Sequence, residues 1–309
     1  MDMDVTPLSR RVFARRAAGW MSLGGFALLG GACGGASTEE LEAARADISK
    51  LDKRLTVLDG GKAPAKTVGK TATKAKEGEH AAAGGEVHWG YEGKEGAAEW
   101  GNLKPDYATC NTGGTQSPID LASVQPGAGG RTVFKWQPVS LSVTNNGHTI
   151  QADTEKGSSI EIDGQPFELL QFHFHTPSEH TLNGKPFALE THFVHKSAKG
   201  ELAVVGVLHN IGQDNVPLTP ILGAIPKKVD DKKPLPKTDL SALLPRELAM
   251  FRYAGSLTTP PCSEGVRWQV MQSPTTVSEA QVRVFQELFK ANARPVQPLK
   301  ARDVIKEGL

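Results

Sequence analysis

The chain has 309 residues, which is enough for one large domain with extensions or for two domains. Its 35 basic and 34 acidic residues give a net charge of +1, which argues against a nucleic-acid-binding protein, because such proteins are usually strongly basic. With 33 glycines, 20 prolines and only short apolar runs, the composition is more typical of a strand-and-loop protein than of a helical bundle.

Residues 1–33 have the organisation of an export signal. Residues 9–15 read SRRVFAR, a twin-arginine pattern, and an apolar, glycine-rich stretch follows from about residue 17 to residue 32. That stretch is too short and too rich in glycine for a membrane span, which needs about 20 apolar residues. We therefore expect export to the periplasm or cell envelope, through the twin-arginine route or through an ordinary signal route.

Cys33 lies where such a signal would be cut. Residues 29–33 read LGGAC, which resembles a bacterial lipoprotein box with its leucine one position too far upstream. Two outcomes stay open. Lipidation of Cys33 would tether the protein to a membrane, whereas simple cleavage nearby would leave a soluble mature protein.

Residues 34–59 contain a seam of apolar residues on a charged background. Steps of three and four separate its members, and this pattern indicates either a short coiled coil that joins copies of the chain or a solvated spacer helix. The members are Leu41, Ala44, Ile48, Leu51, Leu55 and Leu58. Residues 60–85 are mainly lysine, alanine, glycine and threonine without an apolar period, which predicts a flexible linker.

Residues 86–309 predict one β-dominated α+β domain around a large, mostly antiparallel central sheet with a few short helices. Tight turns are indicated at Asn146-Gly147 and Asp163-Gly164. Short apolar or alternating segments between turn signals are typical of strands. Such segments occur at residues 141–144, 160–162, 187–189 and 202–208.

One amphipathic helix is predicted for residues 278–291, with Ser278 as its N-cap. Four apolar residues at helical spacing form its expected buried stripe. They are Val282, Phe285, Leu288 and Phe289.

Two short segments bring histidines together. His173 and His175 are separated by one residue, so on a strand they point to the same face, while Phe174 points to the other. His192 can join them if its strand pairs antiparallel with the first. His195 follows it at an odd offset, which on a strand directs that ring to the opposite face. Three neutral imidazoles with an open fourth position are the donor set of a catalytic zinc site.

Eight segments of this domain, taken together, resemble the α-class carbonic anhydrases of bacteria. They follow the order of that family and span nearly the whole domain, whereas residues 1–85 lie outside the resemblance. The segments are HWGY (88–91), QSPI (116–119), NNGH (145–148), QFHFH (171–175), SEH (178–180), ETHFVH (190–195), SLTTPP (256–261) and RPVQPL (294–299).

The resemblance implies a zinc enzyme that converts carbon dioxide reversibly to bicarbonate and a proton, using a zinc-bound hydroxide. His173, His175 and His192 match the Zn²⁺ ligands. Thr258 matches a residue that accepts the hydrogen of the hydroxide and donates its own to Glu179. His148 matches the proton shuttle, and an unperturbed imidazole titrates near pH 6.5, close enough to exchange protons with buffer.

The resemblance also implies supporting roles. Gln171 and Glu190 share the faces of His173 and His192 and match the acceptors of their second ring nitrogens, and the backbone carbonyl of Asn292 matches that of His175. Tyr91, Asn146 and Gln151 match positions that order a water chain between zinc and shuttle. An apolar wall for carbon dioxide, with a neighbouring cleft threonine, corresponds to Val194, Val204, Leu257, Trp268 and Thr259. His180 and His195 match buried, hydrogen-bonded positions, and His88 and His209 are expected to be structural or exposed.

Relatives of this kind bridge the positions of Cys110 and Cys262, so the resemblance implies a disulfide there, which an oxidising periplasm would permit. Cys33 is then left over, as a lipid-attachment residue would be.

Three other interpretations stay open. A non-catalytic binding module on the same fold would typically lack one of the zinc histidines, and all three are present. A zinc hydrolase of esters or peptides would more typically carry a His-Glu-x-x-His helix, which the chain does not contain. An envelope scaffold would depend mainly on the coil and linker. The expected partner is a small molecule rather than a nucleic acid.

Overall fold

The computed structural model describes residues 87–122, 124–127 and 131–307. The predicted signal, Cys33, the helical segment 34–59 and the linker 60–85 lie outside these residues. None of the described helices has the length and apolarity that a membrane crossing requires.

Strands dominate the described chain, and its helices are short. The helices are α1 (Trp100–Leu103), α2 (Thr109–Thr112), α3 (Thr219–Gly223) and α4 (Glu279–Leu288). The strands are β1 (Gln125–Pro126), β2 (Thr132–Lys135), β3 (Val139–Asn145), β4 (Ile150–Thr154), β5 (Ser159–Ile162), β6 (Gln165–His175), β7 (Thr181–Leu182), β8 (Lys185–Pro186), β9 (Leu189–Ser197), β10 (Leu202–Ile211), β11 (Lys232–Thr238), β12 (Met250–Ser256), β13 (Glu264–Met271), β14 (Thr275–Val277) and β15 (Ile305–Glu307).

Within the described ranges, 13 of these strands form one sheet. Its main path is β1-β15-β12-β13-β10-β9-β6-β4-β3-β11, and β7 pairs with β8 separately. Most neighbours are antiparallel, but β10 is parallel to β13 and β14, and β1 is parallel to β15. The predicted β-dominated α+β fold with a mostly antiparallel central sheet is therefore confirmed.

The middle strands β6, β9 and β10 are covered on both faces. Phe172, Phe174 and Phe193 point into the larger core, where Phe174 lies 4.8 Å from Phe285 of α4 between ring centroids. Val194 and the other residues at the alternate positions of these strands face the opposite side. That opposite side carries the three clustered histidines, so the main core supports the floor of the candidate site from below.

The register between β6 and β9 contains a bulge. Leu169 pairs with His195 and Gln171 pairs with Val194, so Leu170 is an extra residue without a cross-strand partner. Leu170 is also 40% exposed. Phe167 and Phe172 consequently face the same core although five positions separate them, which an unbroken two-residue alternation would not allow.

Two of the predicted elements differ from the structure at their ends. The helix at 279–288 has Ser278 as its N-cap, as predicted, in a capping box with Gln281. It ends three residues earlier than predicted because Phe289 is extended, with φ −136° and ψ 111°. Leu288 is 37% exposed rather than part of the buried stripe.

The strand predicted at 187–189 is wrong except at Leu189, where β9 begins. Phe187 instead closes a local loop, in which its N–H donates to the Ser178 hydroxyl and its carbonyl accepts from the Ser178 N–H, at 2.8 and 3.0 Å. Those two bonds direct Phe187 away from the sheet ladder.

A disulfide joins Cys110 of α2 to Cys262, as the resemblance implied. Both cysteines are buried beside Trp100 and Tyr107. The bond connects positions 152 residues apart and fastens the segment that follows β12 to the N-terminal part of the domain.

Replacing Cys110 and Cys262 together by serine is expected to lower the free energy of unfolding by about 3–5 kcal/mol, because the unfolded chain regains the freedom of a long closed loop. Chemical denaturation without reductant measures the change. Cys33→Ser is the matched control and should change nothing, because the other two cysteines of the chain are bonded to each other. Equal stability of the double variant and the unaltered protein would contradict this expectation.

Candidate metal centre

The antiparallel pairing of β6 with β9 brings the three histidines together. His173 and His192 are direct cross-strand partners, and His175 follows two residues later on the same face. The centroids of the His173 and His175 rings are 5.0 Å apart, and those of His175 and His192 are 4.6 Å apart. One ring nitrogen from each histidine lies within 4.8 Å of the other two.

Each of the three rings uses its outer nitrogen for a contact with the protein. His173 Nδ1 lies 2.9 Å from Gln171 Oε1, and His175 Nδ1 donates to the carbonyl oxygen of Asn292 at 2.7 Å. His192 Nε2 lies 2.9 Å from Glu190 Oε1. These contacts set the ring tautomers and leave His173 Nε2, His175 Nε2 and His192 Nδ1 for a shared ligand.

This donor set fits a metal ion. His175 Nε2 is fully buried and has no hydrogen-bond partner among the described residues, which is costly unless something binds it. Burial is the largest cause that lowers the pKa of all three imidazoles, to about 4 for His175. The rings are therefore neutral at pH 7, which is the form that binds metal.

Glu190 supports His192 rather than serving as a further ligand. Its Oε1 also accepts a hydrogen bond from His180 Nδ1 at 2.7 Å, and its Oε2 accepts the backbone N–H groups of Glu179 and His180 at 2.8 and 2.9 Å. The pKa of Glu190 lies well below its usual value, since the neighbouring His180 and His192 outweigh the raising effect of burial. A fully engaged carboxylate holds the His192 ring in place. Tyr253 completes this network, with its hydroxyl 2.6 Å from His180 Nε2.

Glu179 lies beside the three clustered histidines with Thr258 against it. Its Oε1 accepts the backbone N–H of Arg294 at 2.9 Å, and its Oε2 lies 3.8 Å from His192 Nδ1. Burial raises the pKa of Glu179 to about 7, although His192, the Arg294 N–H and the hydroxyl of Thr258 each act to lower it. The buried hydroxyl of Thr258 is thus coupled to a carboxyl group next to the three nitrogens.

Apolar side chains cover the sheet next to this group. Val194 and Val204 are partners in the β9–β10 ladder, and Val204 is also the partner of Trp268 in β13. The Trp268 ring lies 4.8 Å from the ring of His192 between centroids. Leu257 is half-buried and packs against the same cluster. The four residues matched to the apolar wall therefore form one surface beside the histidines.

Comparison with known proteins identifies the family. The sequence model of eukaryotic-type carbonic anhydrases matches residues 95–308. The chain is 42% identical over 221 residues to a carbonic anhydrase from Pectobacterium carotovorum, covering 71% of this chain and 91% of the relative. It is 45% identical over 226 residues to one from Nostoc sp., covering 71% and 86%. The α-carbonic anhydrase of Thermovibrio ammonificans, solved with the inhibitor sulfanilamide, superposes with a TM-score of 0.70 at 42% identity, covering 72% of this chain and 100% of that one.

The chain belongs to the α-carbonic anhydrase family. It is an enzyme, a carbonic anhydrase, and the reaction of the family is the hydration of carbon dioxide. The family consists of metalloenzymes, in agreement with the histidine cluster.

His148, which matches the family's shuttle position, lies on the rim of the site. Its ring stacks on Trp89 with centroids 3.8 Å apart and planes 6° apart. The ring of His88 lies 6.0 Å away, and His88 Nδ1 contacts Glu95 Oε2 at 2.9 Å. Partial burial and the neighbouring His88 lower the pKa of His148. The ring is half-buried, so part of it is exposed to bulk water.

Two residues matched to the water chain make contacts of their own. Asn146 Oδ1 accepts the backbone N–H groups of His148 and Thr149 at 3.0 and 2.8 Å, so this side chain shapes the loop. Gln151 is the β4 partner of His173, but its Nε2 donates to Asp153 Oδ1 at 2.7 Å. Its amide is therefore held along the strand.

Tyr91 and Thr259 lie at the margins of the site. The Tyr91 ring makes edge contacts with Trp89 and Trp100 at centroid distances of 5.8 and 5.6 Å, and burial raises its pKa well above the usual value. The Thr259 carbonyl accepts the N–H of Cys262 at 2.9 Å, which closes the turn before the disulfide.

Arg294 is a buried residue to which the sequence analysis assigned no role. Its guanidinium donates to Gln116 Oε1, to the Ser117 carbonyl and to the Cys110 carbonyl at 2.7–2.9 Å. Its backbone N–H holds Glu179. The sequence signal for a role of Arg294 was its place in the RPVQPL segment. Its hydrogen-bond partners lie more than 100 positions away in the chain, so they could not be predicted from the sequence.

The other buried histidines are structural, as expected. His195 Nδ1 bonds the carbonyl of Phe193 at 2.9 Å on the core side of β9, and burial lowers its pKa to about 3. His209 lies between the hydroxyls of Thr191 and Thr275, at 2.9 and 2.6 Å. Burial lowers the pKa of His209 to about 4.

We expect Glu190→Gln to weaken zinc affinity by about 10- to 100-fold, the usual cost of losing an outer hydrogen-bond acceptor of a metal-bound histidine. The amide cannot accept from His180 and His192 while also accepting two backbone N–H groups. Competition with a chelator measures the affinity. Glu161→Gln, on β5 in a surface pair with Lys135, is the matched control and should bind zinc normally. Equal affinities for both variants would remove the supporting role of Glu190.

The buried, neutral His209 should make stability depend on pH. Unfolded histidine has a pKa near 6.5, so between pH 6.5 and about 4 the unfolded chain binds a proton that the folded chain does not, and stability falls as the pH falls through this window. The contribution is about 1.4 kcal/mol per pH unit. His209→Gln should make this slope shallower by the contribution of one proton, whereas His88→Gln, at an exposed histidine, should change it far less. Parallel slopes for all three proteins, measured by denaturation at several pH values, would contradict this assignment.

Proposed function

We propose that the chain binds one Zn²⁺ through His173, His175 and His192 and uses it to hydrate carbon dioxide to bicarbonate and a proton. The observation that supports this most strongly is the convergence of three neutral imidazoles whose outer nitrogens are all engaged. Zinc held by three imidazoles keeps a fourth position open and lowers the pKa of a water bound there, the chemistry established for carbonic anhydrases.

Thr258 and Glu179 would orient the attacking oxygen. A threonine hydroxyl that donates to a buried carboxylate has its lone pairs turned away from that carboxylate, where they can accept a hydrogen. Glu179 is fixed for this task by the Arg294 N–H at 2.9 Å. We infer that this pair selects the orientation in which an oxygen lone pair faces the substrate, and so contributes through positioning.

Val194, Val204, Leu257 and Trp268 would hold the substrate. Carbon dioxide is apolar and offers no strong hydrogen-bonding group, so an apolar surface next to the attacking oxygen can bind it without discriminating polar contacts. The four side chains form one cluster beside His192. We assign the carbon dioxide site to this surface.

His148 would pass the product proton to buffer. Its ring is half-buried on the rim, and its pKa lies below the ordinary value for histidine because of partial burial and the charge of His88. A neutral ring is therefore ready to accept a proton at pH 7. The Cys110–Cys262 disulfide supports a further proposal, that the domain works in an oxidising compartment such as the periplasm.

Stopped-flow measurement of carbon dioxide hydration by the full chain, with zinc quantified on the same sample, tests this function. The expected result is hydration that requires about one zinc per chain and is abolished by chelation. Stoichiometric zinc without hydration would contradict the proposal and favour a non-catalytic binding module. Cleavage of a peptide substrate at a higher efficiency than hydration would favour the hydrolase interpretation instead.

Thr258→Ala is expected to reduce hydration by about 100-fold while zinc remains bound, a loss typical of removing one positioned hydrogen-bonding group from an active site. Thr258→Ser keeps the hydroxyl and is the matched control, so it should retain most of the activity. Similar losses in both variants would show that the methyl group or local packing matters, rather than the hydroxyl.

A further inference from the structure

Asn292 follows α4 and engages all of its polar groups with two separate parts of the site. It is 1% exposed. Its carbonyl accepts from His175 Nδ1 at 2.7 Å, and its backbone N–H donates to the Thr176 carbonyl at 3.2 Å. Its side-chain Oδ1 accepts the Thr176 N–H at 2.8 Å, while Nδ2 donates both to the Phe174 carbonyl at 2.9 Å and to the His148 carbonyl at 3.0 Å.

The last of these bonds reaches the loop that carries His148, whereas the bond to the Phe174 carbonyl reaches the metal-binding strand β6. Phe174 lies between the metal-binding residues His173 and His175, so one amide group bonds the backbone at the metal site and the backbone at the shuttle position. Thr149 makes a second link to the same point, with its hydroxyl donating to the Phe174 carbonyl at 2.5 Å.

Only an amide of this length satisfies the arrangement. The position requires one acceptor, for the Thr176 N–H, and two donors, for the carbonyls of Phe174 and His148. Serine offers a single donor, an ionised aspartate offers none, and glutamine is one methylene too long for a buried position. The requirement for asparagine at position 292 therefore comes from the loop that carries His148 as well as from the metal-binding strand.

We propose that the Asn292 side chain is a positioning residue that fixes the main chain of His148 relative to the metal-binding strand, and thereby sets the path by which the product proton leaves. This inference rests on the proposed shuttle function of His148. The loop also closes on itself through Asn146 Oδ1 and the N–H groups of His148 and Thr149, and the Thr149 hydroxyl bonds the backbone of Phe174. The bond from Asn292 is the one that holds the carbonyl of His148 itself. Without Asn292 Nδ2, the His148 carbonyl loses its bond to Asn292. It also loses the connection through that amide to the Phe174 carbonyl on β6.

Kinetic measurements on Asn292→Ala and Asn292→Ser test the proposal. Proton exit follows the hydration step, so slower exit should lower kcat in dilute buffer and leave kcat/KM within about twofold. We expect kcat to fall about five- to tenfold, less than the full contribution of a proton-transfer group because His148 is displaced rather than removed. Added imidazole buffer should restore kcat. Ala291→Ser, at the exposed neighbouring position, is the matched control and should behave like the unaltered protein.

A double variant separates positioning from general damage. If Asn292 acts through His148, then adding Asn292→Ala to His148→Ala should lower kcat no further than His148→Ala alone. An additional loss in that background, or a parallel fall of kcat and kcat/KM, would overturn the proposal. Failure of both Asn292 variants to fold or to hold zinc would also overturn it, by assigning the side chain to support of the metal-binding strand.

A measurement on the zinc-free protein keeps this test independent of the proposed activity. NMR titration of the His148 ring should show its pKa rising toward the ordinary histidine value of about 6.5 in Asn292→Ala, because a released loop exposes the ring to water and moves it away from His88, the two causes that lower this pKa. Unchanged titration and an unchanged ring-stacking shift from Trp89 would overturn the positioning role. If His148→Ala alone leaves kcat unaffected while the titration shifts, the shuttle assignment fails and the positioning by Asn292 stands.

Discussion

Three imidazoles can share one small space only if the outer nitrogen of each ring has its own acceptor. A buried ring N–H without a partner would cost free energy, and a ring free to flip would present the wrong nitrogen. Gln171 on β6, Glu190 on β9 and the Asn292 carbonyl after α4 provide the three acceptors. The geometry of the site therefore depends on the precise relative positions of these three chain segments. Much of the fold outside the histidine cluster holds the segments in those positions.

Two buried networks of hydrogen bonds hold these segments in place. One runs from Glu190 through His180 to Tyr253, which in turn bonds Ser117 at 2.9 Å. The other runs from Glu179 through Arg294 to the backbone at the disulfide. Each begins at a carboxylate next to His192 and ends in the N-terminal part of the described domain. The carboxylates next to the candidate metal are thus held by rigid groups, and little reorganisation is needed when charge develops there.

Features that depend on local sequence pattern could be predicted, whereas features that depend on contacts between distant residues could not be predicted from spacing alone. Strand alternation placed His173 and His175 on one face, but whether His192 would join them depended on an antiparallel pairing that residue spacing leaves open. The resemblance supplied that pairing, the disulfide and the carbonyl of Asn292. The side-chain bonds of Asn292 and the partners of Arg294 could not be predicted, since they join residues far apart in the chain. Helix α4 ends at Leu288 and Phe289 is extended, and four residues after the helix Asn292 bonds β6, a long-range contact that the helical spacing of 278–291 does not indicate.

The bulge at Leu170 divides β6 into two half-strands that alternate out of phase. Phe167 and Leu169 reach the core from odd positions, whereas Phe172 and Phe174 reach it from even ones. Because Leu170 has no partner in β9, a chain lacking this residue would form a continuous ladder with every other pairing preserved. Deleting Phe174 would instead place His175 directly after His173 and turn its ring to the core face. The strand can therefore lose a residue at the bulge without moving the histidines, whereas loss of the residue between His173 and His175 would put the two rings on opposite faces.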